Sequence, residues 1–140
     1  MFRPFPNKEI ENLAGKLLDS KKDMDGQTAG SFAYIYSGQG EGYAPCTAAS
    51  CMEILNYYGI KIEGKRAAVL GRSLVIGRPV AQLLMAKGAT VTICHSKTKD
   101  ANKICKEADI LVAALGKAEM VDGSYIKEGA VVLDVGINVT

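Results

Sequence analysis

The sequence predicts an α/β protein: a Rossmann-like parallel sheet of about four strands flanked by helices, with an irregular N-terminal appendage. Three observations carry that prediction. First, residues 65–97 read as one strand–helix–strand unit of about 30 residues. Second, residues 110–115 form a continuous apolar run, as in a strand buried on both faces. Third, Gly71, Gly116 and Gly136 each close an expected strand, at the carboxyl edge where parallel sheets bind ligands.

The first strand is the run Ala67-Ala68-Val69-Leu70, which stops at Gly71. Pro79 suits the first turn of a helix, where its missing N–H costs nothing. Val80, Leu83 and Leu84 then fall at i, i+3 and i+4 on one helical face, and Gly88 ends it. Thr90–Cys94 alternates as a second strand. Next comes a short helix with Ala101, Ile104, Cys105 and Ala108 on one side. Asp122 caps a turn holding Tyr125 and Ile126, and residues 130–135 make the fourth strand. Short crossovers imply parallel neighbours in spatial order 2-1-3-4, with 3-2-1-4 as the alternative.

Upstream, Asn7 caps a helix whose face Ile10, Leu13, Ala14 and Leu17 reads as core. Residues 19–30 are polar and turn-rich. Asp23 and Asp25 beside Gly26 fit an ordinary turn, and the further ligands of a calcium loop are missing. Residues 31–42 place Phe32, Tyr34 and Tyr36 on alternate positions before three glycines, which predicts a loop or weak strand. Thr47 is expected to cap the next helix, with Cys51, Ile54, Leu55 and Tyr58 as its apolar stripe and Gly59 as its stop. Tyr57 and Lys61 have the Tyr-x-x-x-Lys spacing of some proton-transfer pairs. They straddle that helix end, so they are expected to diverge.

The net charge of +2 gives no reason to expect nucleic acid or an anionic membrane as partner. No apolar run approaches the ~18 residues of a membrane helix, and no signal peptide is evident. Cys46, Cys51, Cys94 and Cys105 form no C-x-x-C pair. They read as free, mostly buried thiols of a reducing cytoplasm, and His95 alone makes no metal site.

The turn after the first strand carries the chemistry. It reads Gly71-x-Ser73-x-x-x-Gly77-x-Pro79, where a dinucleotide turn usually reads G-x-G-x-x-G. A serine replaces the second glycine and one residue is added. Its position, directly after a strand and opening a helix, still points to a phosphate at a helix N-terminus. The alternative is a structural βα turn without a ligand. The second strand runs into His95-Ser96-Lys97-Thr98-Lys99, where an NAD site places an acid. No acid is present, and Arg72 lies inside the turn, so NADP is expected over NAD. The alternative is that Arg72, Lys97 and Lys99 are solvated surface charges.

Several blocks then come together in order: Tyr43-Ala44-Pro45-Cys46-Thr47, Val69 to Ser73 through Gly77-Arg78-Pro79, Thr92 to Thr98, Ala108 to Val112, and Asp134-Val135-Gly136-Ile137-Asn138. With Lys22-Asp23-Met24-Asp25-Gly26, which looks like K-D-V-D-G, they resemble the bifunctional methylenetetrahydrofolate dehydrogenase/methenyltetrahydrofolate cyclohydrolase family.

The resemblance implies that residues 1–45 are a remnant of the folate-binding catalytic domain, 46–64 a linking helix and 65–140 an NADP-binding domain. It implies cofactor contacts at Gly71, Arg72, Ser73, Gly77, His95, Ser96, Gly116 and Ile137, and a folate contact at Asp25. It further implies a cytoplasmic homodimer acting in one-carbon metabolism. The family's assisting lysine, in a Tyr-x-x-x-Lys segment of the N-terminal half, has no counterpart in these residues, and no catalytic residue is assigned. The chain start resembles Q-L-P-L-P, with Phe2 where a glutamine touching that lysine often stands, a departure bearing on the cyclohydrolase step. The 140 residues read as a piece of a longer protein, expected to show no turnover alone because hydride transfer needs folate and cofactor held together. The alternative function is a stand-alone, non-catalytic nucleotide-binding module.

Overall fold

The computed structural model describes residues 6–136. The chain divides into two compact units, Met1–Cys46 and Thr47–Thr140.

The second unit is built on four parallel strands: β1 (Arg66–Leu70), β2 (Thr90–Cys94), β3 (Ile110–Ala113) and β4 (Val131–Asp134). Their spatial order is β2-β1-β3-β4, the first of the two orders expected. Helix α3 is Cys46–Tyr57, α4 is Gly77–Ala86 and α5 is Ala101–Lys106.

Strand periodicity divides the core in two. Ala67 and Val69 of β1, with Ile110 and Val112 of β3, face Ala48, Cys51 and Leu55 of α3 and Val80 and Leu84 of α4. The intervening Ala68, Leu70 and Leu111 face Cys94, Cys105 and Ala108 on the α5 side. β3 is buried along its whole length, as its unbroken apolar run requires.

Two glycines stop helices in the same way. Gly59, at φ 64°, donates to Asn56 O while Ile60 N–H reaches back to Leu55 O. Gly88, at φ 84°, donates to Met85 O while Ala89 N–H reaches Leu84 O. Both are Schellman closures that need a left-handed residue.

Two expectations for α3 fail. The helix begins at Cys46, so Thr47 is its second residue and not its cap. The buried stripe is Ala48, Cys51 and Leu55, whereas Ile54 is 42% and Tyr58 72% exposed. The small Ala48 lets the helix seat through that face, which turns Ile54 outward.

The first unit holds α1 (Lys8–Leu17), a 3-10 turn at Ser20–Lys22 and α2 (Ala29–Ser37). Asn7 caps α1 as expected, its Oδ1 accepting Glu9 N–H at 2.8 Å. The expected core face is not buried: Ile10, Leu13 and Leu17 are all exposed. Residues 29–37 are helical, where a loop or weak strand was expected. Thr28 Oγ1 accepts Ser31 N–H at 3.2 Å at one end, and Gly38 at φ 67° closes the other. These end signals outweigh the aromatic alternation, whose Tyr34 and Tyr36 lie in solvent.

Asp23 organises this unit. Its carboxylate is 3% exposed and accepts Thr28 N–H at 2.6 Å and the Ser31 hydroxyl at 2.8 Å. Burial alone would raise its pKa. The Gln27 and Thr28 amides and the Ser31 and Thr28 hydroxyls outweigh burial and hold it below 3.8. Among the described residues, no helix is long and apolar enough to cross a membrane.

Two outcomes follow. Leu55→Ala should cost about 2–5 kcal/mol in chemical denaturation, and Ile54→Ala should stay within about 0.5 kcal/mol. Because the folded pKa of Asp23 is depressed, its contribution is present above the unfolded value and is lost as pH falls through the folded one. Wild type should therefore lose stability relative to Asp23→Asn as pH drops below about 4, read as converging melting temperatures.

Candidate functional site

The site is built where β1 gives way to α4. Gly71 leaves the strand at φ 116°, its N–H donating to Cys94 O at 2.8 Å. A Cβ on Gly71 would stand 2.5 Å from Ala114 O, and a Cβ on Gly77 would collide with the Gly71 carbonyl. Only glycine at both positions lets the helix start lie against the strand end. Pro79 sits in the first turn of α4 without losing a hydrogen bond.

Ser73 does more than replace a glycine. Its Oγ accepts Ile76 N–H at 3.1 Å and Gly77 N–H at 3.2 Å, and its carbonyl accepts Arg78 N–H at 3.0 Å. The hydroxyl thus satisfies the amides of Ile76, at the N-cap position, and of Gly77, the first residue of α4, and caps the helix from three residues outside it. The capping oxygen acts as acceptor, so the hydroxyl proton stays available to an outside acceptor. The side chains of residues 72–75 are exposed, and nothing plugs the bend. Among the described residues, the amides of Arg72, Ser73, Leu74 and Val75 donate to no protein acceptor. Backbone N–H groups open to an anion at this helix N-terminus agree with the sequence reading; what that reading missed is the Ser73 hydroxyl bonded to the Ile76 and Gly77 amides. The signal was present: a serine three and four residues before the amides it bonds, with glycine at the second.

Beside this bend, β2 ends in a closed turn. His95 N–H donates to Thr98 Oγ1 at 2.9 Å, and Thr98 N–H returns to His95 O at 2.8 Å. His95 Nδ1 accepts Lys97 N–H at 3.2 Å, which orients the half-buried ring. Ser96 and Lys97 ride exposed on the turn. Arg72, Lys97 and Lys99 have no ion-pair partner among the described residues. The nearest acid in sequence, Asp100, pairs with Lys103 of α5 at 3.5 Å.

The other strand ends complete the edge. Ala114 N–H bonds Leu70 O, and Val135 N–H bonds Ala113 O, so β1, β3 and β4 finish level. Gly136 presses on the Leu115 carbonyl and has no room for a Cβ. Gly116 faces open space, so packing does not demand glycine there. Ile137 lies outside the described residues, as does the Phe2 position.

The structure therefore brings Gly71, Arg72, Ser73, Gly77, His95, Ser96 and Gly116 to one edge of one unit. Asp25 belongs to the first unit, exposed on the loop between the 3-10 turn and α2. Asp109, in one of the family-like blocks, lies at the opposite end of the sheet. It accepts Arg66 N–H at 2.9 Å and pairs with Lys127 at 2.7 Å. The Lys127 bond chiefly holds its carboxyl below the usual range, a structural clamp and no part of the site. Tyr57 is fully exposed, stacking edge-on against Tyr58. Burial raises the Cys51, Cys94 and Cys105 thiols, Cys105 to about 12, which keeps them inert. Among the described residues, no cluster of three or more His, Cys, Asp or Glu could hold a metal.

Comparison with known proteins agrees with this geometry. The family described as tetrahydrofolate dehydrogenase/cyclohydrolase, NAD(P)-binding domain, matches residues 45–140. The Bifunctional protein FolD of Carboxydothermus hydrogenoformans is 53% identical over 138 residues, covering 99% of this chain and 48% of that protein. The solved structure of the Campylobacter jejuni bifunctional enzyme FolD, a methylenetetrahydrofolate dehydrogenase/cyclohydrolase, superposes with a TM-score of 0.87 at 39% identity, over 91% of this chain and 45% of that one. The Trypanosoma brucei methylenetetrahydrofolate dehydrogenase-cyclohydrolase, solved with NADP cofactor and inhibitor, gives a TM-score of 0.88 at 37% identity, over 98% of this chain and 47% of that one. The chain spans about half the length of the curated relatives it matches. On its sequence match and its fold, the chain belongs to the tetrahydrofolate dehydrogenase/cyclohydrolase family.

Proposed function

We propose that this chain supplies the NADP site, and part of the folate site, of a methylenetetrahydrofolate dehydrogenase/methenyltetrahydrofolate cyclohydrolase. The observation that carries the reading is the bend at residues 71–77, with four uncommitted amides, a capping serine and an arginine against an acid-free rim.

The residues present fit a dinucleotide. A cradle in which a Cβ at Gly71 or Gly77 would collide with backbone admits close approach of a pyrophosphate. Ser73 donates its free hydroxyl proton to a phosphate oxygen. Arg72, with Ser96 and the ordered turn at His95, receives the 2′-phosphate, where a bidentate guanidinium contact suits an oxyanion. Gly116 and Ile137 border the nicotinamide end. When bound, NADP supplies the acceptor for a hydride from the methylene carbon of the folate, whose pterin is recognised by Asp25. The chain's own part is to bind, orient and hold the cofactor, which is where most of the proximity effect arises. Opening of the methenyl bridge by water is assigned to no residue of this chain.

The relatives' printed activities and the NADP-bound Trypanosoma brucei structure support the oxidoreductase assignment. The cytoplasmic homodimer, with a small-molecule substrate and neither nucleic acid nor membrane as partner, rests on the resemblance. The domain division is read as 1–45 for the folate side, 46–64 as linking helix and 65–140 for the cofactor.

Titration of the chain with NADP and NAD tests this. Arg72→Ala should weaken NADP about 10- to 100-fold, the worth of a charged hydrogen bond, and leave NAD within about threefold. Equal loss of both cofactors overturns the 2′-phosphate assignment. Ser73→Ala should instead weaken both equally, because both carry the pyrophosphate. Loss of the helix cap should lower stability by about 1 kcal/mol, read in urea.

A further inference from the structure

We propose that Ser31, with the Asp23 carboxylate it bonds, is a positioning residue for Asp25: the two lock the loop that presents Asp25 onto segment 42–45. The functional meaning rests on the folate reading of Asp25; the lock itself does not.

Ser31 lies in the first turn of α2 and is fully buried. Its hydroxyl donates to Asp23 Oδ2 at 2.8 Å, accepts Tyr43 N–H at 3.4 Å and accepts the Thr28 hydroxyl at 3.3 Å. A hydroxyl has one proton and two lone pairs, so its capacity is filled. The three partners come from three places: Asp23 before the loop, Thr28 after it, and Tyr43 from the segment beyond α2.

Two glycines show how tightly that segment is applied. A Cβ on Gly42 would stand 2.7 Å from Ser31 Cα. A Cβ on Gly26, at φ 62°, would stand 2.6 Å from Pro45 N and would collide with the Tyr43 carbonyl. Segment 42–45 therefore touches Ser31 at one end and the Asp25 loop at the other. Within the loop, Asp23 O accepts Gly26 N–H at 2.9 Å, and Gln27 Nε2 bonds Asp25 O at 3.0 Å. The loop is held at Asp23, Gly26 and Thr28, while Asp25 between them is exposed.

If packing of α2 were the whole role, apolar side chains would serve. Asp23 is 3% exposed and has no ion-pair partner among the described residues, a costly place for a carboxylate. Thr28 N–H, at 2.6 Å, and the Ser31 hydroxyl reach the same oxygen, Oδ2. Hydrogen bonds have a direction that apolar contacts lack. These two converge on Asp23 from the exit of the loop and from α2. They set the exit relative to the entry, and so the place of Asp25.

Amide hydrogen exchange on the chain tests the lock without any ligand. In wild type the Gly26, Thr28 and Tyr43 amides should be protected to a common level, as one opening unit. Asp23→Ala and Ser31→Ala should each speed all three about tenfold or more, while Asn7→Ala, which removes only the α1 cap, should speed none beyond about twofold. Independent exchange of the three amides in wild type overturns the lock, even if both alanine variants at Asp23 and Ser31 fail to fold.

In the full-length protein, Ser31→Ala should weaken 5-formyltetrahydrofolate about five- to twentyfold and leave NADP within about twofold, with Asn7→Ala binding both as wild type does. Asp23→Asn should stay within about threefold of wild type, since one amide oxygen can stand for Oδ2, while Asp23→Ala follows Ser31→Ala. Equal weakening of folate and NADP, or equal loss in Asp23→Asn and Asp23→Ala, overturns the positioning role. A wild type that binds NADP and no folate overturns the folate reading, and the exchange result still decides the lock.

Discussion

The backbone of Gly77 rests on the carbonyl of Gly71, and the carboxyl edge of the sheet depends on that contact. A side chain at either position would push α4 off the end of β1. The helix is held in place by Val80 and Leu84, both fully buried in the core cluster that includes Ala67 and Val69 of β1. Burial of two such side chains is worth about 3–6 kcal/mol together, enough to hold the close approach but not to absorb a new clash with backbone. The contact also fixes where the bend at residues 72–75 faces. Its four amides are left without a protein acceptor as the chain loops around the helix start.

Ser73 explains how the turn departs from the usual glycine pattern and, on the proposed function, still receives a phosphate. In G-x-G-x-x-G the second glycine keeps side-chain bulk away from the phosphates. Here the side chain folds back and caps α4, which removes it from the path of a ligand. The added residue before Gly77 is what allows this, since it sets the hydroxyl three and four residues from the amides it accepts. The cost is two amides consumed by the cap. The gain is a hydroxyl donor at the same place, so the number of groups facing an anion falls only slightly.

The sheet was legible in the sequence and the first unit was not, for one physical reason. In β1 and β3 every residue from Ala67 to Leu70 and from Ile110 to Ala113 is buried, so apolar character and strand length are set by the same packing. Order, direction and strand ends follow from that pattern and the short crossovers. α2 carries no such pattern: its aromatics sit at spacing two, and its ends are set by Thr28 and Gly38, signals of one residue each. α1 shows the opposite failure, an apolar stripe that the described unit does not bury. Of the site, the glycines, Arg72 and the acid-free rim were readable as residue types in order. The amides of the turn were expected too, but the bonding of Ser73 to Ile76 and Gly77 was not, because it depends on how the side chain folds back on its own backbone. Gly116 was readable only as punctuation, and the structure gives it no packing role.

Discrimination between the two nicotinamide cofactors reduces to what stands at the end of β2. An acid there would bond a ribose hydroxyl and repel a phosphate, and residues 95–99 contain none. The first acid along the chain, Asp100, adopts a left-handed conformation at φ 52° that starts α5, and its carboxylate is turned to Lys103. That pair is exposed and weak, worth at most about 1 kcal/mol, but it need not be strong. Asp100 stands at the N-cap position of α5, past the turn that presents Ser96. The His95–Thr98 hydrogen bonds close that turn before any ligand arrives, so little ordering remains to offset binding. Preference for a phosphorylated ribose, on the proposed function, thus comes as much from the acid that pairs with Lys103 as from the arginine, unpaired among the described residues, that the bend presents.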